Sequence, residues 1–97
     1  LADPVARRNS RYKNAYGITF KDYVEIAFRQ DNKCLICGID GKDTDRGKLS
    51  VDHCHKSDQI RGLICQKCNT GLGLFKDNPK SLSKAIRYLK RFKRKQL

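Results

Sequence analysis

A chain of 97 residues, 38% of them hydrophobic, has room for one domain with a small apolar core. Twenty-two lysines and arginines against ten acidic residues leave a net charge of +12, more than solubility requires, and point to a polyanion, most simply nucleic acid, as partner. No apolar run approaches the roughly 18 residues of a membrane span and no charged-then-apolar leader is visible, so the expectation is a protein of the reducing cytoplasm that makes no membrane contact.

Residues 1 to 16 mix Arg7, Arg8, Arg11 and Lys13 with Tyr12 and Tyr16, and Gly17 closes the stretch, which reads as a short basic helix. Thr19 follows as an N-cap with Asp22 three residues on. Phe20, Tyr23, Val24 and Ala27 recur at helical spacing, predicting a second helix that ends near Asp31 and Asn32. Next comes a Cys34-x-x-Cys37 turn, where Gly38 permits a sharp bend, and then a loop over 41 to 48 rich in Asp, Gly and Lys. Residues 49 to 55 and 59 to 64 are strand-like runs separated by Lys56, Ser57 and Asp58, which predicts a hairpin. A second turn, Cys65-x-x-Cys68, opens a short helix carrying Asn69, in which Gly71 and Gly73 either limit its length or admit a close neighbour. Asn78 and Pro79 start a last helix, with Leu82, Ala85, Ile86, Leu89 and Phe92 as its apolar stripe. Lys84, Tyr88, Arg91 and Lys95 lie opposite, with Tyr88 expected to be partly core in preference to an aromatic nucleic-acid contact. Basic charge concentrates here: residues 76 to 97 carry nine basic side chains against one acidic, while 34 to 75 carry six against five. Among residues of this last segment, Lys84, Arg87, Lys90, Arg91, Lys93, Arg94 and Lys95 are the expected phosphate-attracting set.

Zinc takes four ligands in a tetrahedron, and two Cys-x-x-Cys turns supply four thiolates. Cys34, Cys37, Cys65 and Cys68 are therefore expected to hold a structural zinc, in preference to two disulfides or redox motifs. The alternative of a mixed site from Cys65, Cys68, His53 and His55 would leave Cys34 and Cys37 unused. Cys54 is left over, read as a small half-buried thiol in preference to an alternative ligand. In a domain of this size such a clamp would contribute much of the stability.

Between the two turns lies Val51-Asp52-His53-Cys54-His55. Hydrolysis of a phosphodiester needs an activated water and stabilisation of the charge that develops on phosphate and leaving oxygen, and one imidazole with one divalent cation supplies both. Asp52 and the amide oxygen of Asn69 are hard ligands of the kind magnesium or manganese takes, and His53 supplies the adjacent imidazole. On a regular strand Asp52 and His53 point to opposite faces, so their convergence requires an irregular strand or a site at its edge.

The stretches Cys-Leu-Ile-Cys-Gly, Leu-Ser-Val-Asp-His-Cys-His-Lys, Ile-Arg-Gly-Leu-Ile-Cys-Gln-Lys-Cys-Asn-Thr-Gly-Leu-Gly and the closing Asp-Asn-Pro…Ala-Ile-Arg-Tyr-Leu resemble the phage recombination endonuclease VII family, a branch of the HNH or ββα-metal nucleases, over about residues 14 to 92. The resemblance implies an α+β, zinc-stapled ββα-metal fold, a β-hairpin plus helix with flanking N- and C-terminal helices, organised as a helical part over 1–33, a zinc and ββα-metal core over 34–75 and a basic helix over 76–97. It implies a metal-dependent DNA endonuclease with His53 as general base, Asp52 and Asn69 holding catalytic Mg2+ or Mn2+, and His55 in a supporting role near the scissile phosphate. Cys34, Cys37, Cys65 and Cys68 would hold structural Zn2+. The expected partner is DNA, duplex or branched, and the expected setting is the cytoplasm of a phage-infected host, with the protein a monomer or homodimer. Two positions depart from the family pattern: Leu72 stands where the founding member has an acidic residue, and no asparagine lies between His55 and Cys65. Two other function classes are a zinc-organised nucleic-acid-binding module without catalysis and the nuclease domain of a larger restriction or homing enzyme.

Overall fold

The computed structural model describes residues 17 to 94, with side chains to Phe92. The expected basic helix over 1 to 16 and Lys95 lie outside the described residues.

Helix α1 (Phe20–Arg29) begins with the reciprocal cap that its sequence specifies. The Asp22 amide donates to Thr19 Oγ1 at 3.1 Å, and the Thr19 amide donates to Asp22 Oδ2 at 3.0 Å. The helix stops at Arg29, short of the expected Asp31-Asn32 end, because Asp31 and Asn32 take left-handed backbone angles, φ 55 and 54, which no right-handed helix can propagate. That reversal is fixed from both sides: the Asn32 amide donates to the Ala27 carbonyl at 2.7 Å, and its own carbonyl accepts from Gly41 at 2.7 Å.

Strands β1 (Ser50–His53) and β2 (Ile60–Ile64) form an antiparallel hairpin. Ser50 faces Ile64, Val51 faces Leu63 and Asp52 faces Gly62, but His53 faces Ile60, so Arg61 is the extra residue of a bulge at the Asp52/His53 step. Gly62 has φ 154, a backbone angle that side-chain-bearing residues rarely adopt, so the bulge favours glycine there, with the Leu35 side chain of the first cysteine turn lying alongside. The strands are shorter than the runs in sequence because the hairpin end, from Cys54 to Gln59, is tied as a turn by the Cys54 amide on the Gln59 carbonyl, 2.8 Å, and the Asp58 amide on the Cys54 carbonyl, 2.7 Å.

The buried core consists of Tyr23, Cys34, Leu49, Val51, Leu63, Ile64 and Cys65, with Leu49 and Leu63 fully enclosed. Two polar side chains join α1 to the hairpin. Tyr23 donates its hydroxyl to the Leu49 carbonyl at 2.6 Å, and Gln30 accepts from the Leu63 amide and donates to the Leu63 carbonyl, both at 2.9 Å. Gln30 thus serves as a one-residue strand on the outer edge of β2, meeting the requirement that buried backbone groups be paired.

Helix α2 (Gln66–Leu74) packs against β1 and is capped by Cys65, whose Sγ accepts from the Cys68 amide at 3.4 Å. Gly71 and Gly73 lie within the helix and face open space, with nothing among the described residues close to them. Helix α3 (Pro79–Arg94) starts as read, with Asn78 Oδ1 accepting from the Lys80 amide at 2.9 Å. Its apolar stripe is only half covered: Leu82 and Ala85 are partly buried, while Ile86, Leu89 and Phe92 are more than half exposed. Tyr88, expected as partial core, is 67% exposed, because nothing in the described chain packs along this part of the helix. No helix among the described residues is long and apolar enough to cross a membrane.

Candidate metal centre and hairpin site

The four cysteines of the two turns converge, all their sulfurs lying within 4.8 Å of one another. Zinc–sulfur bonds of about 2.3 Å in a tetrahedron place sulfurs about 3.8 Å apart, and Cys37 Sγ to Cys65 Sγ is 3.6 Å. Each turn offers amide donors to its first sulfur: Ile36 and Cys37 to Cys34 at 3.4 and 3.5 Å, and Cys68 to Cys65 at 3.4 Å. Burial works against the Cys34 thiolate, but backbone hydrogen bonds from Cys37, Cys65 and Ile36 outweigh it and bring the thiol down to about 6. Burial and the neighbouring sulfurs, with the negative charge of Cys34 among them, push Cys68 strongly up. A cation among the sulfurs is what would let all four ionise together, so the donor set fits zinc. Among the described residues this all-sulfur group is the one with metal-ligand geometry, and His53 and His55 lie outside it. Cys54 also stands apart and half-buried, its thiol drawn down to about 7, chiefly by hydrogen bonding with Ser57.

The clamp joins the segment after α1 to the N-terminus of α2, and the hairpin is held between them. The Asp52 carboxylate is 9% exposed and gripped by Arg61 as a fork, Nε to Oδ2 at 2.7 Å and Nη2 to Oδ1 at 3.0 Å. Arg61 Nη2 also reaches Asp77 Oδ2 at 3.4 Å, and His55 Nε2 stands 3.9 Å from that same oxygen. The rings of His53 and His55 are 5.3 Å apart, tilted by 60°. The hairpin therefore strings Asp52, Arg61, Asp77 and His55 into one polar chain, with the His53 ring at its end. A hollow of about 220 Å³ opens over Asp52 and Arg61, walled by Leu35, Ile36 and Leu72. Asn69 is half-buried on the first turn of α2, one residue past Cys68, on the helix that packs against β1.

The bulge sits at the step where regular alternation would send Asp52 and His53 to opposite faces. Sequence reasoning missed Arg61 and Asp77 as members of the site. A buried carboxylate needs a cation beside it, and that need was the available signal for Arg61. Asp77 gave none, since its place depends on the loop between α2 and α3, where its amide donates to the Leu72 carbonyl at 2.8 Å.

Comparison with known proteins gives three findings. The family model described as recombination endonuclease VII matches residues 9–91. The Gene 59 protein of Mycobacterium phage D29 is 42% identical over 84 residues, covering 84% of this chain and 49% of that protein, and the Gene 59 protein of Mycobacterium phage L5 is 40% identical over 82 residues, 82% and 48%. The chain thus spans about half the length of the curated relatives it matches. No solved structure matches.

Proposed function

The chain belongs to the recombination endonuclease VII family, and we propose that it acts as a metal-dependent DNA endonuclease of the HNH, or ββα-metal, type. The observation that carries this reading is the packing of the helix bearing Asn69 against the strand bearing Asp52 and His53, beside one four-sulfur clamp. A pure binding module has no use for that trio.

In this reading Cys34, Cys37, Cys65 and Cys68 hold structural zinc, and the zinc keeps the two halves of the site in register. Asp52 and Asn69 would hold a magnesium or manganese ion, for which a carboxylate and an amide oxygen are suitable hard ligands. When bound, that ion stabilises charge on the phosphate and on the leaving oxygen. His53 would take a proton from the attacking water, and His55, 3.9 Å from Asp77 Oδ2, would help to position the phosphate beside it. The setting is a phage-infected host cell, where this chain would cut duplex or branched DNA.

Incubation with supercoiled plasmid and with branched DNA, in magnesium, manganese or EDTA, tests the proposal. Cutting in either metal and none in EDTA is the expected result. Binding without cutting under every condition would leave a zinc-organised binding module in its place. Asn69→Ala should keep its zinc and its fold while metal-dependent cutting falls, because Asn69 lies beyond the four sulfurs. Normal cutting by this variant would remove Asn69 from the metal site.

Helix α3 presents Lys84, Arg87, Lys90 and Arg91 to solvent. If they follow the phosphate backbone, neutralising all four should weaken binding equally on unrelated sequences, since side chains on phosphates position a protein without reading bases. The slope of log K against log salt should flatten by about one for each phosphate left without its cation. An unchanged slope would make this side of α3 a solvated face only.

A further inference from the structure

Arg61 has an unusual combination of constraints. Its backbone is the extra residue of the bulge, without a cross-strand partner, and its side chain is 39% exposed. Yet its guanidinium occupies both oxygens of Asp52, a carboxylate that is 9% exposed. A carboxylate this buried requires a compensating cation, and Arg61 is the cation that touches it. The same nitrogen that holds Asp52 Oδ1 also touches Asp77 Oδ2, so a second carboxylate is already within reach.

We infer that Arg61 is the resident counter-ion of the Asp52 site, and that a divalent cation loads by displacing its guanidinium from Asp52 toward Asp77. The inference rests on the reading of Asp52 as a ligand of the divalent cation. Two cations cannot share the same two oxygens at bonding distance without strong mutual repulsion, so an oxygen turned to the metal is an oxygen taken from the fork. Arg61 keeps the buried carboxylate compensated before loading, and the cation affinity of the protein is lowered by the fork it has to open. The bulge makes this exchange feasible, because the side chain that moves belongs to the residue least tied into the sheet.

Zinc-loaded protein without DNA, titrated with Mn2+ and followed by the EPR signal of the free ion, provides the test. Arg61→Gln should bind Mn2+ more tightly than wild type, on the order of tenfold, the scale of losing one charge-assisted fork. With its zinc bound and no other divalent cation added, its melting temperature should be lower than that of the wild type, and it should rise further on Mn2+ addition. Arg61→Lys keeps a positive charge for folding but loses the fork, so it should lie between the two, and it decides the matter if the glutamine variant does not fold. Lys56→Gln removes the same charge from an exposed position on this hairpin and should leave the affinity near wild type. In the wild type, Mg2+ should shift the Arg61 Nε–H resonance as the fork opens.

Unchanged or weaker Mn2+ binding in both Arg61 variants overturns the inference, as does equal tightening in Lys56→Gln, which would reduce the effect to net charge. Asp52→Asn separates this from the reading beneath it. Wild-type Mn2+ affinity in Asp52→Asn would remove Asp52 as a metal ligand, whereas loss of Mn2+ there without tightening in the Arg61 variants would sink the counter-ion exchange alone.

Discussion

Replacing His53 by alanine should lower DNA cutting by about 10²- to 10⁴-fold, the usual contribution of a positioned general base. Zinc content, melting temperature and DNA affinity should stay near their wild-type values. His53 is half-buried at the last position of β1, outside the buried core, and the metal clamp is built from sulfurs alone. The fold therefore depends on His53 far less than the proposed chemistry does. Single-turnover nicking of supercoiled plasmid, set beside metal analysis and a thermal melt, separates the two. His55 lies close enough, with ring centres 5.3 Å apart, to act as a weak substitute, so His53→Ala/His55→Ala should be slower still. Cutting by His53→Ala at the wild-type rate would place the base elsewhere.

Cys65→Ser should lose zinc and cooperative unfolding together. Cys65 is 5% exposed, caps α2 through its sulfur and lies 3.6 Å from Cys37 Sγ, so it belongs at once to the core, the helix start and the clamp. Serine is a good N-cap, which leaves the metal and the packing as the variables. Structural zinc sites contribute about 10–16 kcal/mol in small domains, against a net stability of about 5–15 kcal/mol for ordinary ones. With seven residues in the buried core among those described, apolar packing there is too limited to make up the difference. A folded Cys65→Ser with a full complement of zinc would refute the clamp.

Local chemistry was legible in the linear sequence. The Thr19/Asp22 capping box, the Asn78-Pro79 helix start, the hairpin and the two cysteine turns all appear where residue types and spacing put them. Each depends on residues within a few positions of one another, so short-range sterics and hydrogen bonding suffice. The convergence of two turns separated by the hairpin was also foreseeable, because four thiols in that spacing have one common use.

What required the tertiary structure were features set by partners distant in sequence. Gln30 becomes an edge strand for Leu63, 33 positions away, and Gly62 favours glycine because the bulge opposite Asp52 and His53 holds its φ at 154. The α3 stripe, amphipathic by sequence, runs past the end of the core, so Ile86, Leu89 and Phe92 stay exposed where periodicity alone implied a buried face. The candidate site follows the same division. Asp52, His53, His55 and Asn69 stand out by residue type and spacing, so the sequence by itself supplied the proposed donor set. Which cation faces Asp52 was decided by a one-residue bulge that brings Arg61 onto its carboxylate and within reach of Asp77, because register and electrostatic pairing emerge only when both strands and the loop before α3 are folded together.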